Sequence, residues 1–416
     1  MDELNKVENE LYNVNYKIEW NQSKPEELIK FFQTDIILSF TQINDIIKFN
    51  KNLIEKSTSS RYFIKIIKRR GISSNKRWVF PIKYYVCKNL DREIINEAIK
   101  TLENNTCVKF KESNECFTNT SGIIFHKSNN CYSFVGKYYK NKPQTIGIGP
   151  ACNTSVTSII HEIAHALGLY HEQSRPDRDD VIIFLKDYVD PKYTVNFAIT
   201  PEDTVKLYET GYDFGSAMHY PFTSYGINNT GILMPKIYEY KNMMGQRYEM
   251  TFNDYKKINL HYCGKKCKRW KTKCFNSGYR NPKNCGKCIC PNGYKGRKCT
   301  LLKPQEPGCG RRDKFTMKNV TSIIMVSGVK NCTFRIRTSK ENRIRINITN
   351  AKFNKKIPCY INMGLEIKYD KDKGATGLCL CGPHDEIVLT SSLNEVLVFY
   401  TGKRDTNMAT ISYEEV

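Results

Sequence analysis

The chain has 416 residues, of which 40% are hydrophobic and 26% charged, values that exclude a disordered polyelectrolyte and a membrane bundle. Its length calls for roughly two to four domains. Lys plus Arg exceed Asp plus Glu by 65 to 42, and the net charge of +23 favours anionic partners.

The 17 cysteines imply an oxidising compartment, so the chain is expected to be secreted and extracellular. The first residues, Met1-Asp2-Glu3-Leu4-Asn5-Lys6, show no basic and apolar signal peptide. Asn-x-Ser/Thr sequons at Asn21, Asn104, Asn119, Asn153, Asn228, Asn319, Asn331 and Asn347 fit a secretory glycoprotein. Apolar runs such as Ile323-Ile324-Met325-Val326 fall far short of the ~20 residues that span a bilayer, so no transmembrane segment is expected.

In chain order, residues 1–70 are free of cysteine, carry helix-like stretches such as 25–32, and end in the basic cluster Lys68-Arg69-Arg70. Residues 71–263 are mixed. They open with a strand-like run over Phe80–Val86, then a helix from Asp91 to Leu102 with Ile94, Ile95, Ala98, Ile99 and Leu102 on one face. Residues 264–301 hold six cysteines and too few apolar side chains for a core, so disulfides must hold them. In residues 302–416 the alternation of Phe334-Arg335-Ile336-Arg337 and Ile344-Arg345-Ile346-Asn347-Ile348 predicts half-buried strands.

The segment that carries chemistry runs from His161-Glu162-Ile163-Ala164-His165 to Gly168 and His171. On a helix His161 and His165 lie one turn apart on one face, where two imidazoles can bind one Zn²⁺. Glu162 reaches a water on the metal without ligating it. Gly168 permits the left-handed turn that ends the helix, and His171 supplies the third nitrogen. Three neutral ligands leave a position open for a water whose pKa falls toward ~7, with Glu162 as general base. Three of the seven histidines fall in these eleven residues, and the HExxHxxGxxH pattern is far more specific than HExxH alone.

The continuation His171-Glu172-Gln173-Ser174-Arg175-Pro176-Asp177-Arg178 resembles the signature of the astacin family of zinc endopeptidases. Ser216-Ala217-Met218-His219-Tyr220 is similar to that family's Met-turn. The resemblance implies that Met218 forms an apolar floor under the metal. It also implies that Tyr220 ligates zinc at rest and steadies the oxyanion during catalysis, and that Glu172 receives the new N-terminus after maturation. Phe32-Gln33-Thr34-Asp35 resembles the inhibitory Phe-x-Gly-Asp motif, with Thr34 in place of glycine. Asp35 is then a zinc ligand that displaces the catalytic water until a cut, placed after Arg70, removes it.

The same resemblance implies disulfides Cys107–Cys263 and Cys131–Cys152, and an edge strand at Gln144 to Gly149 against which substrates lie extended. Cys87 and Cys116 fall outside the pattern and are expected to pair with each other. Residues 264–301 resemble an EGF-like module with pairs Cys267–Cys285, Cys274–Cys288 and Cys290–Cys299. A zinc knuckle is the competing reading of Cys285-x-x-Cys288-x-Cys290. The last block resembles a CUB sandwich with Cys309–Cys332, and Cys359 joined to either Cys379 or Cys381.

The expected fold is therefore α+β: an astacin-like, metzincin protease of two subdomains around a cleft, then the EGF-like module and the all-β CUB sandwich. The domains are a prosegment (1–70), the protease (71–263), the EGF-like module (264–301) and the CUB-like domain (302–416). The implied function is a secreted zinc metalloendopeptidase made as a zymogen, with one zinc ion per catalytic domain and extracellular proteins as substrates. The stretch 255–298 holds 14 Lys or Arg and no Asp or Glu, which makes acidic matrix polysaccharides expected partners and nucleic acid not. The alternative from another class is an inactive adhesion protein using the EGF-like and CUB modules. All three histidines and Glu162 are present, which weighs against it.

Overall fold

The computed structural model describes residues 33–38, 42–46, 77–202 and 204–416. The stretch 25–32, the Lys68–Arg70 cluster with its cut site, and the Asn21 sequon lie outside the described residues. The chain divides into two compact units.

The first unit comprises residues up to 209, 223–233 and 257–263. It is built on a six-stranded sheet of order β1-β5-β6-β4-β2-β3, with β1 Ile36–Ile37, β2 Ile82–Val86, β3 Phe110–Glu112, β4 Gly122–Lys127, β5 Tyr132–Phe134 and β6 Pro143–Ile148. All neighbours are parallel except β5 and β6, which run antiparallel with Ser133 opposite Ile146. The expected strand from Phe80 begins only at Ile82, whose N–H is the first to join the ladder, bonding Lys109 O; Pro81 before it has no N–H to give.

Helix α1 (Arg92–Asn105) follows the periodicity read from the sequence. Asp91 caps it by accepting from Glu93 N at 2.9 Å, and Ile95, Ala98, Ile99 and Leu102 form its buried stripe. Helix α2 (Val156–Ala166) is capped by Ser155 and buried from Ile159 onward. Helix α3 (Phe252–Cys263) ends in the Cys107–Cys263 disulfide, which joins residues 156 positions apart. Cross-links over loops of that length remove on the order of 5 kcal/mol of unfolded-chain entropy. Tyr262 Oη donates to Leu167 O at 2.9 Å, fixing the end of α3 to the end of α2.

The structure corrects two sequence expectations here. The strand at Gln144 is not an edge: β6 lies between β5 and β4, because β5 folds back antiparallel onto its free side. On that side of the sheet the order continues past β5 to Ile36–Ile37, which is paired onto β5 in parallel. Cys87 and Cys116 are both thiols. Cys87 is held by its backbone, N–H to Phe125 O at 3.0 Å, and Cys116 is exposed in the turn before β4.

The second unit comprises residues 210–222, 234–256 and 264–416. Its cysteine-rich part has the bonds Cys267–Cys285, Cys274–Cys288 and Cys290–Cys299 around two short hairpins. Residues 313–415 form two five-stranded sheets. Strand Asn331–Arg337 points Phe334 and Ile336 inward, and Ile344–Lys352 buries Ile344, Ile346 and Ile348, as the alternation predicts. Cys309 bonds Cys332 and Cys359 bonds Cys381, which leaves Cys379 as a buried thiol. The cysteine-rich part is packed on this sandwich by Tyr294 and Leu302 against Leu397 and Phe399.

Candidate metal centre

Helix α2 presents His161 and His165 from successive turns, and both are almost wholly buried. Gly168 takes φ +105°, a left-handed conformation that a side chain would strain, and its N–H bonds His165 O at 2.7 Å. That turn brings His171 round to the same point. Among the described residues, Asp35, His161, His165 and His171 place one ligand atom each within 4.8 Å of one another.

The separations have the size a metal requires. His161 Nε2 lies 3.0 Å from His165 Nε2 and 3.3 Å from Asp35 Oδ2, and His171 Nε2 lies 3.2 Å from that oxygen. His165 Nε2 is 3.8 Å from Asp35 Oδ1. A zinc tetrahedron with arms near 2.0–2.1 Å has edges of about 3.4 Å.

The hydrogen bonding on the far sides of the rings fixes which nitrogen faces inward. His165 Nδ1–H donates to Leu169 O at 2.7 Å, and His171 Nδ1–H to Gln33 Oε1 at 2.8 Å. Their Nε2 atoms therefore carry lone pairs toward the shared centre. Burial, then the fields of His161 and His171, hold the His165 pKa well below its ordinary value and keep the ring neutral. Burial opposes the charge on Asp35, yet the imidazoles, His171 foremost, hold its carboxyl far below the usual carboxylate range. Three buried imidazoles, two of them with their lone pairs fixed inward, and the half-buried Asp35 carboxylate fit a zinc ion.

Asp35 arrives on a tight turn. Gln33 and Thr34 both have left-handed φ, 52° and 67°, so the threonine standing where the inhibitory motif has glycine adopts a backbone that glycine favours. Asp35 O then accepts from Ser133 N at 2.7 Å and β1 begins. Behind it, Ile36, Leu38, Ile43 and Ile46 pack with Val135, Tyr170, Val195 and Val205 in one apolar cluster.

The other predicted residues have definite places. Glu162 is buried on α2 between the two histidines. Glu172 opens the 3-10 turn after His171, where Oε1 meets Arg175 Nη1 at 3.1 Å and Oε2 meets Lys257 Nζ at 2.9 Å. Arg175 also grips Asp177 with two bonds of 2.8 Å. A cavity opens here, lined by Tyr170, Glu172, Thr200, Val205, Leu207 and Lys257. Cys131–Cys152 ties the strand β5 to the loop before α2.

Met218 and Tyr220 are buried in the second unit. Their turn is held by Asp254, whose Oδ1 accepts from Ser216 Oγ at 2.8 Å and whose Oδ2 accepts from Ala217 N at 3.2 Å. Sequence reasoning missed Gln33, Lys257 and Asp254. Gln33 sat inside the quoted inhibitory motif, whereas nothing local marks Lys257, 85 residues from its partner.

Residues 71–263 match the Astacin family of peptidases. The chain is 32% identical over 389 residues to zinc metalloproteinase nas-34 of Caenorhabditis elegans, covering 92% of this chain and 63% of that protein. Against zinc metalloproteinase nas-36 of Brugia malayi it is 34% identical over 400 residues, covering 88% and 67%. Among solved structures, high choriolytic enzyme 1, a hatching enzyme zinc-protease from Oryzias latipes, is 27% identical with a TM-score of 0.39, covering 44% of this chain and 89% of that one. The chain thus spans 63% and 67% of the length of the two curated relatives. With three histidines and an aspartate gathered on one centre and a third or so of its residues shared with nematode zinc metalloproteinases, the chain belongs to the astacin family of peptidases.

Proposed function

We propose that this chain is the latent form of a secreted zinc metalloendopeptidase that cuts extended segments of extracellular proteins. The observation that carries the reading is the convergence of His161, His165, His171 and Asp35 on one buried centre. Zinc, when bound, is a Lewis acid that polarises the scissile carbonyl and lowers the pKa of a water. The three histidines hold the ion. Glu162 takes the proton of the attacking water and passes it to the leaving amine. By the resemblance of their turn to the family's Met-turn, Tyr220 would serve the metal and the developing oxyanion and Met218 would support the turn.

Asp35 closes the site until residues 1–70 are removed after Arg70, and Glu172 then receives the new N-terminus. Residues 264–301 act as an EGF-like module and 302–416 as a CUB-like domain that bring the protease to its substrate. Of the cations in 255–298, Lys256 and Lys257 are buried, while Lys265, Lys266, Lys268, Arg269, Lys271 and Lys273 are exposed. That exposed group suits acidic matrix polysaccharides. The exposed sequons at Asn104, Asn119, Asn153, Asn228, Asn319 and Asn331 are candidate places for glycans.

The test uses precursor secreted from an oxidising host, assayed on casein before and after limited trypsin, with and without a zinc chelator. Activity that appears on cleavage and disappears with the chelator is expected. A folded, zinc-loaded, cleaved chain that hydrolyses no peptide library overturns the reading in favour of a binding protein.

A further inference from the structure

Gln33 is fully buried, and its polar groups are all committed. Its backbone N–H donates to Asn196 Oδ1 at 2.8 Å, its amide nitrogen to Ser174 Oγ at 2.5 Å, and its amide oxygen accepts from His171 Nδ1 at 2.8 Å. Two residues on, Asp35 Oδ2 faces Nε2 of the same ring at 3.2 Å. Both nitrogens of His171 are therefore addressed by a single turn of the N-terminal segment, whose left-handed Gln33 and Thr34 fold the two side chains to opposite sides of the ring.

The orientation of the amide matters to a metal. With the oxygen toward His171, Nδ1 keeps its hydrogen and Nε2 turns a lone pair to the centre. A flipped amide would offer N–H to Nδ1 and leave a hydrogen on Nε2 where the ion belongs. Ser174 Oγ accepts from the amide nitrogen, and its own loop is fixed by Thr200 N donating to Ser174 O at 2.8 Å. A ligating imidazole whose other N–H is held by an acceptor is better oriented and more basic, and losing such a partner typically costs ~10–100-fold in metal affinity.

We propose that Gln33 is a positioning residue for the zinc site, lent by the segment that is later removed, so that the latent chain holds its metal more tightly than Asp35 alone would secure. The inference rests on the reading of Asp35 as a metal ligand in the precursor. It makes the N-terminal segment a metal-retention device during secretion as well as a block, acting through the outer face of His171.

The test measures zinc transfer from the intact precursor to a chromophoric chelator, and the visible absorption of the Co²⁺-substituted precursor. Gln33→Leu is expected to weaken zinc retention by ~10–100-fold and to shift the Co²⁺ bands. Gln33→Glu, which keeps an acceptor for Nδ1–H, is expected to retain zinc at least as well as the parent. Asp35→Asn, run alongside, reports on the ligand reading itself. If it alters the Co²⁺ spectrum while Gln33→Leu releases zinc within twofold of the parent, the role of Gln33 is overturned and the ligand reading stands. If Asp35→Asn leaves the spectrum unchanged, the ligand reading fails, and the proposal with it. Loss of retention in Gln33→Glu equal to that in the leucine variant also overturns it, because packing rather than an acceptor would then be responsible. Should the leucine variant fail to fold, Gln33→Asn takes its place: its shorter amide cannot reach His171, and zinc release equal to the parent's overturns the proposal.

Discussion

Lys257 on α3 places its ammonium 2.9 Å from Glu172 Oε2, and the two side chains are only 4% and 2% exposed. The carboxylate next to the third histidine is thus already gripped by the helix that closes the first unit, with Arg175 on its other oxygen. Removing one partner of a buried ion pair leaves an uncompensated charge and costs about 3–5 kcal/mol. Lys257→Met is expected to fall at the lower end, since Arg175 still serves Glu172. Denaturant unfolding of the precursor checks this. The double change Glu172→Gln with Lys257→Met is expected to recover a substantial part of the loss, as replacing both charges removes the orphan.

Glu162→Ala is expected to leave zinc content unchanged and to lower hydrolysis by about 10²–10⁴-fold, the range for loss of a positioned general base. Metal analysis beside a quenched-peptide assay of the trypsin-cut protein separates the two effects. In the uncut precursor, Asp35→Ala is expected to raise basal activity. Unchanged latency would mean that the packing of Ile36, Leu38, Ile43 and Ile46 blocks the site by itself.

Gly168→Ala tests the turn between the second and third histidines. At φ +105° a β-carbon is strained, at about 1–3 kcal/mol. Either the turn holds and stability falls by that amount, or it relaxes and His171 leaves the centre. Zinc content and thermal unfolding of the precursor distinguish these outcomes, and loss of neither would remove Gly168 from the account.

His261 supplies a pH dependence. Burial, then the fields of Arg77 and Lys206, lowers its pKa to about 3, and Tyr208 Oη shares a hydrogen bond with its Nδ1 at 3.0 Å. The folded ring stays neutral while the unfolded chain takes up a proton below about 6.5. The unfolded state therefore gains the proton first, and stability falls as pH drops from about 6.5 toward 3. The loss is bounded at roughly 4–5 kcal/mol by the size of the shift. His261→Phe is expected to flatten the dependence of the denaturation midpoint over that window. An unchanged slope would assign it to other groups.

Much of this protein is local and was therefore legible in order along the chain. A helix stripe is set by 3.6-residue spacing, so Ile95, Ala98, Ile99 and Leu102 could be placed inward before any fold was known. Strand alternation likewise placed Phe334, Ile336, Ile344, Ile346 and Ile348. The histidine cluster was legible for the same reason, since His161, His165, Gly168 and His171 lie within one helix and the turn that ends it. Long-range pairing is different, because it depends on which distant surfaces meet once the chain has compacted. Whether Cys359 bonds Cys379 or Cys381 differs by two residues in sequence, and only the sandwich decides that Cys381 is the one within reach. The position of β6 inside the sheet rather than at its edge follows from β5 folding back on it. The two-sided grip of Gln33 and Asp35 on His171, and of Lys257 on Glu172, joins residues 85 to 138 positions apart. Asp35 was legible through its motif, but no periodicity or motif marks the contacts of Gln33 and Lys257, because each arises from buried polar groups finding partners where the packed elements happen to bring them together.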